Sequence, residues 1–179
     1  MASVHDSITS DLREFIERQH VFFVASAPNG PGGHVNLSPK GMDTLRVLSP
    51  THVAYLDLTG SGNETAAHLL QNGRVTFMFC AFEGKPMILR LFGRGRAVQP
   101  GSSEYGELSS KFPELPGMRQ IFLAEITRVQ TSCGFGVPVM KFEKERDLLA
   151  KWCEHKGPEG LAEYREKKNR VSIDNLPTL

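Results

Sequence analysis

Apolar residues recur at helical spacing near the start of the chain. Ile8, Leu12, Phe15 and Ile16 share one face of residues 6–18, behind capping candidates Asp6 and Ser7, and predict an amphipathic helix packed on a core. From residue 20 the pattern changes to short runs rich in β-branched and aromatic side chains, separated by Pro, Gly and Asn. Residues 20–27 and 34–38, joined by a Pro/Gly-rich turn, predict a hairpin. Further strands are predicted at 44–48, 52–58, 74–82, 87–98 and 120–131.

Short helices are predicted at 63–72, where Ala66, Ala67, Leu69 and Leu70 can face a sheet, and at 103–112. Residues 141–170 carry nine basic and seven acidic side chains around a broken apolar stripe, and predict two terminal helices separated at Gly157-Pro158. The Glu83–Pro86 turn between two long strands is antiparallel hairpin logic and argues against a doubly wound sheet. The expected class is therefore mainly β with flanking helices (α+β), with about seven strands closing toward a barrel. A length of 179 residues fits a single domain over 1–179: a barrel at about 20–140, an N-terminal helix at about 6–18 and a C-terminal helical extension at about 141–170.

Charge narrows the partners. Lys and Arg total 21 against 20 for Asp and Glu, a net charge of +1, so no basic footprint for nucleic acid is expected. No apolar run reaches the ~20 residues of a membrane span, and the first residues lack the pattern of a signal peptide, so a cytoplasmic location is expected. Cys80, Cys133 and Cys153 are odd in number and widely spaced, which predicts reduced thiols rather than a disulfide framework. The six histidines never fall at metal-ligand spacing, and no metal site is expected.

Chemistry concentrates where the run Tyr55-Leu56-Asp57-Leu58 passes through Thr59-Gly60-Ser61-Gly62 into the helix at 63–72. Glycines before a helix N-terminus let the backbone approach an anion, and the free N–H groups there carry partial positive charge. The same residues admit a second reading, because Ser61 and Glu64 are spaced as a capping box that satisfies those donors without a ligand. Cations can come from Lys40, which follows the alternating His34, Asn36 and Ser38, or from Arg90, Arg94 and Arg96 on one strand face. Either set also reads as an ordinary turn lysine or a solvated strand face. No catalytic residue can be assigned from the sequence.

With these residues laid out, the chain resembles the pyridoxamine 5′-phosphate oxidase superfamily, the FMN-binding split β-barrel proteins, over roughly residues 10–140. The order of elements carries the resemblance, together with GHVNLSPKG (33–41), LDLTGSGNET (56–65), MFCAFEG (78–84) and SCGFGVP (132–138). The resemblance implies FMN held between two subunits of a homodimer. Asn36, Ser38 and Lys40 would approach the flavin ring and phosphate, Thr59, Gly60, Ser61, Asn63 and Thr65 would serve phosphate contact, and Arg90 would lie near the cofactor. The chain departs from the oxidases at Glu64-Thr65, where they present an Arg-Lys pair, at Ile88, where they place a Gln, and in its charged C-terminal helices. The implied function is a flavin-dependent oxidoreductase acting on a small-molecule substrate, and not pyridoxamine phosphate oxidation itself. The alternative is a non-catalytic flavin- or haem-binding protein on the same fold.

Overall fold

The computed structural model describes residues 2–178. Its elements are β1 (Ser3–His5), α1 (Ser10–Glu17), β2 (Phe22–Ser26), β3 (Asn36–Lys40), β4 (Leu45–Ser49), β5 (His52–Leu58), α2 (Glu64–Asn72), β6 (Arg74–Cys80), β7 (Ile88–Val98), α3 (Ser103–Ser109), β8 (Met118–Ser132) and α4 (Leu148–Lys168). The strands pair antiparallel in the order β3-β2-β6-β7-β8-β5-β4, and β1 adds to β8.

Strand β1 has three residues and no periodicity to announce it. It delays the first helix, since the chain must turn at Asp6 and Ser7 before α1 can begin. Thr9, not Asp6 or Ser7, is the cap: it is extended (φ −73°, ψ 169°) and its hydroxyl accepts the Leu12 N–H at 3.4 Å. The predicted stripe is otherwise as expected, with Leu12, Phe15 and Ile16 buried and Ile8 buried just ahead of the cap. Each such side chain contributes about 1.5–3 kcal/mol on leaving water.

Strand β3 begins two residues later than its alternation predicts and includes Pro39, which pairs with Phe23. An edge strand tolerates a missing N–H on its outer side. The shift leaves His34 outside the strand and brings Lys40 to its end. Strands β7 and β8 form the longest pairing, with a register shift between Phe92 and Gly93. A Cβ at Gly93 would lie 2.2 Å from the Glu125 carbonyl oxygen, so the bend requires glycine.

Two apolar clusters result. The larger joins α1 and α2 to one sheet face through Phe22, Val24, Phe77, Phe79, Leu89 and Leu91, and the smaller packs Leu108 and Phe112 onto Leu56, Val98 and Ile121. Residues 133–147 form neither helix nor strand, so the C-terminal helix starts at Leu148 rather than near 141. The predicted break is present: Gly157 is non-helical (φ 64°, ψ 174°) immediately before Pro158. Beyond α4, Val171 bridges Pro177 in a short turn-back. Among the described residues no helix is long and apolar enough to cross a membrane. All three cysteines are unpaired, with Cys80 and Cys153 buried.

Candidate functional site

Strand β3, the end of β5, the start of β8 and the first turn of α2 enclose a polar cavity of about 320 Å³. At its base is a buried carboxylate. Asp57 is 2% exposed, held there because β5 is covered on both faces. Its Oδ1 accepts the Tyr55 hydroxyl at 2.7 Å, and its Oδ2 accepts Arg119 Nε at 2.8 Å and Gln120 Nε2 at 2.9 Å. Arg119 Nη2 is 2.7 Å from the same oxygen. This fork satisfies the charge that burial would otherwise penalise.

Lys40 reaches toward this cluster from the end of β3. Its Nζ is 3.9 Å from Asp57 Oδ1 and 5.5 Å from the centre of the Tyr55 ring. Burial lowers its pKa, Asp57 opposes that shift and Arg119 adds to it. The Tyr55 hydroxyl is pushed well above its ordinary range, first by burial and then by Asp57.

The two readings of the Gly-rich turn are separated by the end of α2. Asn63 is the N-cap and makes no side-chain cap bond; its Oδ1 instead accepts Gln120 Nε2 at 2.7 Å. The Ser61/Glu64 capping box does not form. Glu64 turns its carboxylate to the C-terminal tail, where both oxygens accept the Ile173 N–H at 3.2 Å. Because no side chain caps them, the first-turn N–H groups of α2 remain available to an anion. A hydrogen-bonded row crosses from β3 to this turn: Ser38 Oγ donates to Asn36 Oδ1 at 3.1 Å, and Asn36 Nδ2 donates to Thr65 Oγ1 at 3.3 Å.

Seven of the residues singled out in the sequence therefore border one cavity: Asn36, Ser38, Lys40, Gly60, Ser61, Asn63 and Thr65. Thr59 does not. It is fully buried beneath the turn, where its hydroxyl donates to Gly117 O at 2.9 Å and accepts Arg165 Nε at 2.8 Å. Arg90 lies elsewhere, in a cross-strand row Phe23–Met78–Arg90–Gln130 on the sheet face opposite the larger core, and donates to Ser132 Oγ at 3.2 Å. The other two arginines of the expected stripe have separate partners, Asn72 O for Arg94 and Glu104 for Arg96.

Sequence reasoning missed Asp57, Arg119 and Asn169. A signal existed for Asp57, a charge embedded in the apolar run 52–58, since such charges are buried only when paired, whereas Arg119 falls just ahead of the strand predicted at 120–131. Asn169 Oδ1 accepts Arg119 Nη1 at 2.7 Å and its Nδ2 donates to Gly60 O at 3.1 Å, a contact across more than a hundred residues that no local pattern carries. Among the described residues, no group of three or more His, Cys, Asp or Glu side chains is arranged to hold a metal ion.

Residues 8–133 match the family model described as pyridoxamine 5′-phosphate oxidase. The chain belongs to the pyridoxamine 5′-phosphate oxidase family. The pyridoxamine 5′-phosphate oxidase family protein ustO of Aspergillus flavus is 39% identical over 196 aligned positions, which span 100% of this chain and 78% of that protein. Among solved structures, HupZ from Group A Streptococcus superposes with a TM-score of 0.55 at 18% identity, over 68% of this chain and 91% of that one. A FAD-binding protein of Mesorhizobium loti superposes with a TM-score of 0.50 at 13% identity, over 73% and 95% of the two chains. The fold is the split β-barrel of this family, mainly antiparallel β with flanking helices.

Proposed function

We propose that this chain is a flavin-dependent oxidoreductase that binds FMN and acts on a small-molecule substrate as a homodimer. The observation that carries the reading is the uncapped N-terminus of α2, opening on a cavity bordered by Lys40, Ser61 and Thr65. This donor set fits a phosphate monoester. Lys40 supplies a cation, the hydroxyls of Ser61 and Thr65 supply neutral donors, and Glu64, the nearby anion, is engaged by the tail. Family membership and the Mesorhizobium loti relative of the same fold support a flavin as the bearer of that phosphate.

Bound flavin would supply the redox chemistry of hydride or single-electron transfer. The chain's own part is to bind, orient and exclude water. Asn36 and Ser38, tied to each other and to Thr65, present a fixed polar edge beside Lys40. Lys40 holds a proton at Nζ next to Asp57, whose other partners fix it in place. Arg90 and the half-buried Phe23, Met78 and Phe92 on the outer sheet face form the surface through which a second copy would dock, bringing Arg90 toward the partner's site.

The test is a visible absorbance spectrum of the purified protein, followed by titration with FMN and then anaerobic addition of a nicotinamide donor. A flavin spectrum or saturable uptake that bleaches with the donor is expected. Uptake without bleaching by any donor would favour the non-catalytic flavin-binding reading, and absence of uptake would overturn flavin binding itself.

A further inference from the structure

Asn169 closes α4 and is 4% exposed, yet its side chain is spent on the cavity rather than on the helix. One end accepts Arg119 Nη1 and the other donates to the Gly60 carbonyl; Arg119 Nη1 also donates to the Gly62 carbonyl at 3.0 Å. Two carbonyls of the turn, with one residue between them, are thus drawn toward the same buried pair. In a planar trans peptide the C=O and the following N–H point in opposite directions, and among the described residues no peptide bond is cis. Holding the Gly60 and Gly62 carbonyls inward therefore aims the Ser61 and Asn63 N–H groups the other way. Ser61 and Asn63 both border the cavity, and among the described residues neither N–H has an acceptor. Alternate N–H groups turned to one side make a concave anion receptor, continuous here with the first turn of α2.

We infer that Asn169 is a positioning residue for phosphate: together with Arg119 it sets the 60–63 turn so that the Ser61 and Asn63 N–H groups receive the phosphate of the flavin. This rests on the flavin reading and deepens it. The C-terminal extension, outside the 8–133 match, is then part of the site. Arg165 supports the same turn from one helical turn earlier, through Thr59 Oγ1 and the Met118 carbonyl at 3.0 Å.

The test compares FMN with riboflavin, which lacks the phosphate, on the full chain and on Asn169→Asp and Asn169→Ala. Asn169→Asp keeps the acceptor for Arg119 and removes the donor to Gly60 but adds a carboxylate, so Asn169→Ala, which adds no charge, is the variant that decides. FMN affinity is expected to fall about tenfold or more in both variants, as for loss of aim at a charged acceptor, while riboflavin affinity is unchanged. Equal loss for both ligands, or no loss for either, would overturn the inference and leave flavin binding standing. Failure of the unmodified chain to take up FMN would overturn both. If neither variant folds, the amide resonances of the unmodified chain decide: Ser61 and Asn63 N–H should shift on adding FMN and stay in place on adding riboflavin, and equal shifts would contradict the inference.

Discussion

Two aspartates, Asp57 and Asp174, each hold a basic side chain from a distant part of the chain, and they do so in opposite surroundings. Asp57 and Arg119 have side chains 3% and 9% exposed, in a cluster where both Asp57 oxygens and all three Arg119 nitrogens have partners. Asp174 holds His34 at the surface, accepting from its backbone N–H at 2.8 Å and facing its Nδ1 at 2.6 Å, with the His34 side chain 71% exposed. Buried, such a pair cannot lose one member without stranding the other charge. Exposed, it is screened by water and salt and trims a segment into place. The first therefore shapes the cavity and the second fastens the tail beside it.

Removing one partner of the buried pair should have the largest effect. Asp57→Ala leaves Arg119 uncompensated and is expected to cost about 3–5 kcal/mol in a urea or thermal melt. A loss no greater than that of a surface pair would erase the contrast. Lys40→Ala should weaken FMN binding by about 1–3 kcal/mol with little change in unfolding midpoint, as read by fluorescence titration. The lowered pKa of Lys40 adds a pH signature. Its ammonium is lost at lower pH than that of an ordinary lysine, so FMN affinity should fall as pH rises through that lowered value, and Lys40→Arg should flatten the profile.

The surface clasp predicts a smaller, local effect. Its hydrogen bond to Asp174 raises the His34 pKa, and the same bond lowers that of Asp174. The clasp's contribution is fully present below the ordinary pKa of an unfolded His, is lost as pH rises through the raised His34 value, and is lost again as pH falls through the lowered Asp174 value. His34→Ala should leave the unfolding midpoint unchanged while lowering the protection of the Ile173 amide against exchange and removing the clasp's share of the pH dependence of that protection. The smallest expected change is a rise in FMN affinity for Glu64→Gln, which removes a like charge from the cavity rim but also a favourable charge from the start of α2.

The same contrast explains what could be read in the sequence. Alternation and helical spacing mark β5, β7 and α2 nearly to the residue, because each buries a regular face. They say nothing of β1, whose three residues are held by pairing with β8, or of the true start of α1, which β1 displaces. Seven of the nine residues marked as cofactor contacts meet at one cavity because they sit at strand ends and a helix start, where local pattern fixes position. Thr59 and Arg90 diverge from that group, since their partners, Arg165 and the outer sheet face, come from tertiary packing. Glu64 reads as a cap because its spacing to Ser61 is right; the tail, more than a hundred residues away, claims its carboxylate first.

The most direct test of the site is the ratio of FMN to riboflavin affinity in the unmodified protein, taken by fluorescence titration at low salt. If the α2 end and the 60–63 turn hold the phosphate, FMN binds more tightly by about tenfold or more, and added salt narrows the gap. Equal affinity for the two flavins would show that the phosphate makes no contact there and would contradict the assignment of this cavity.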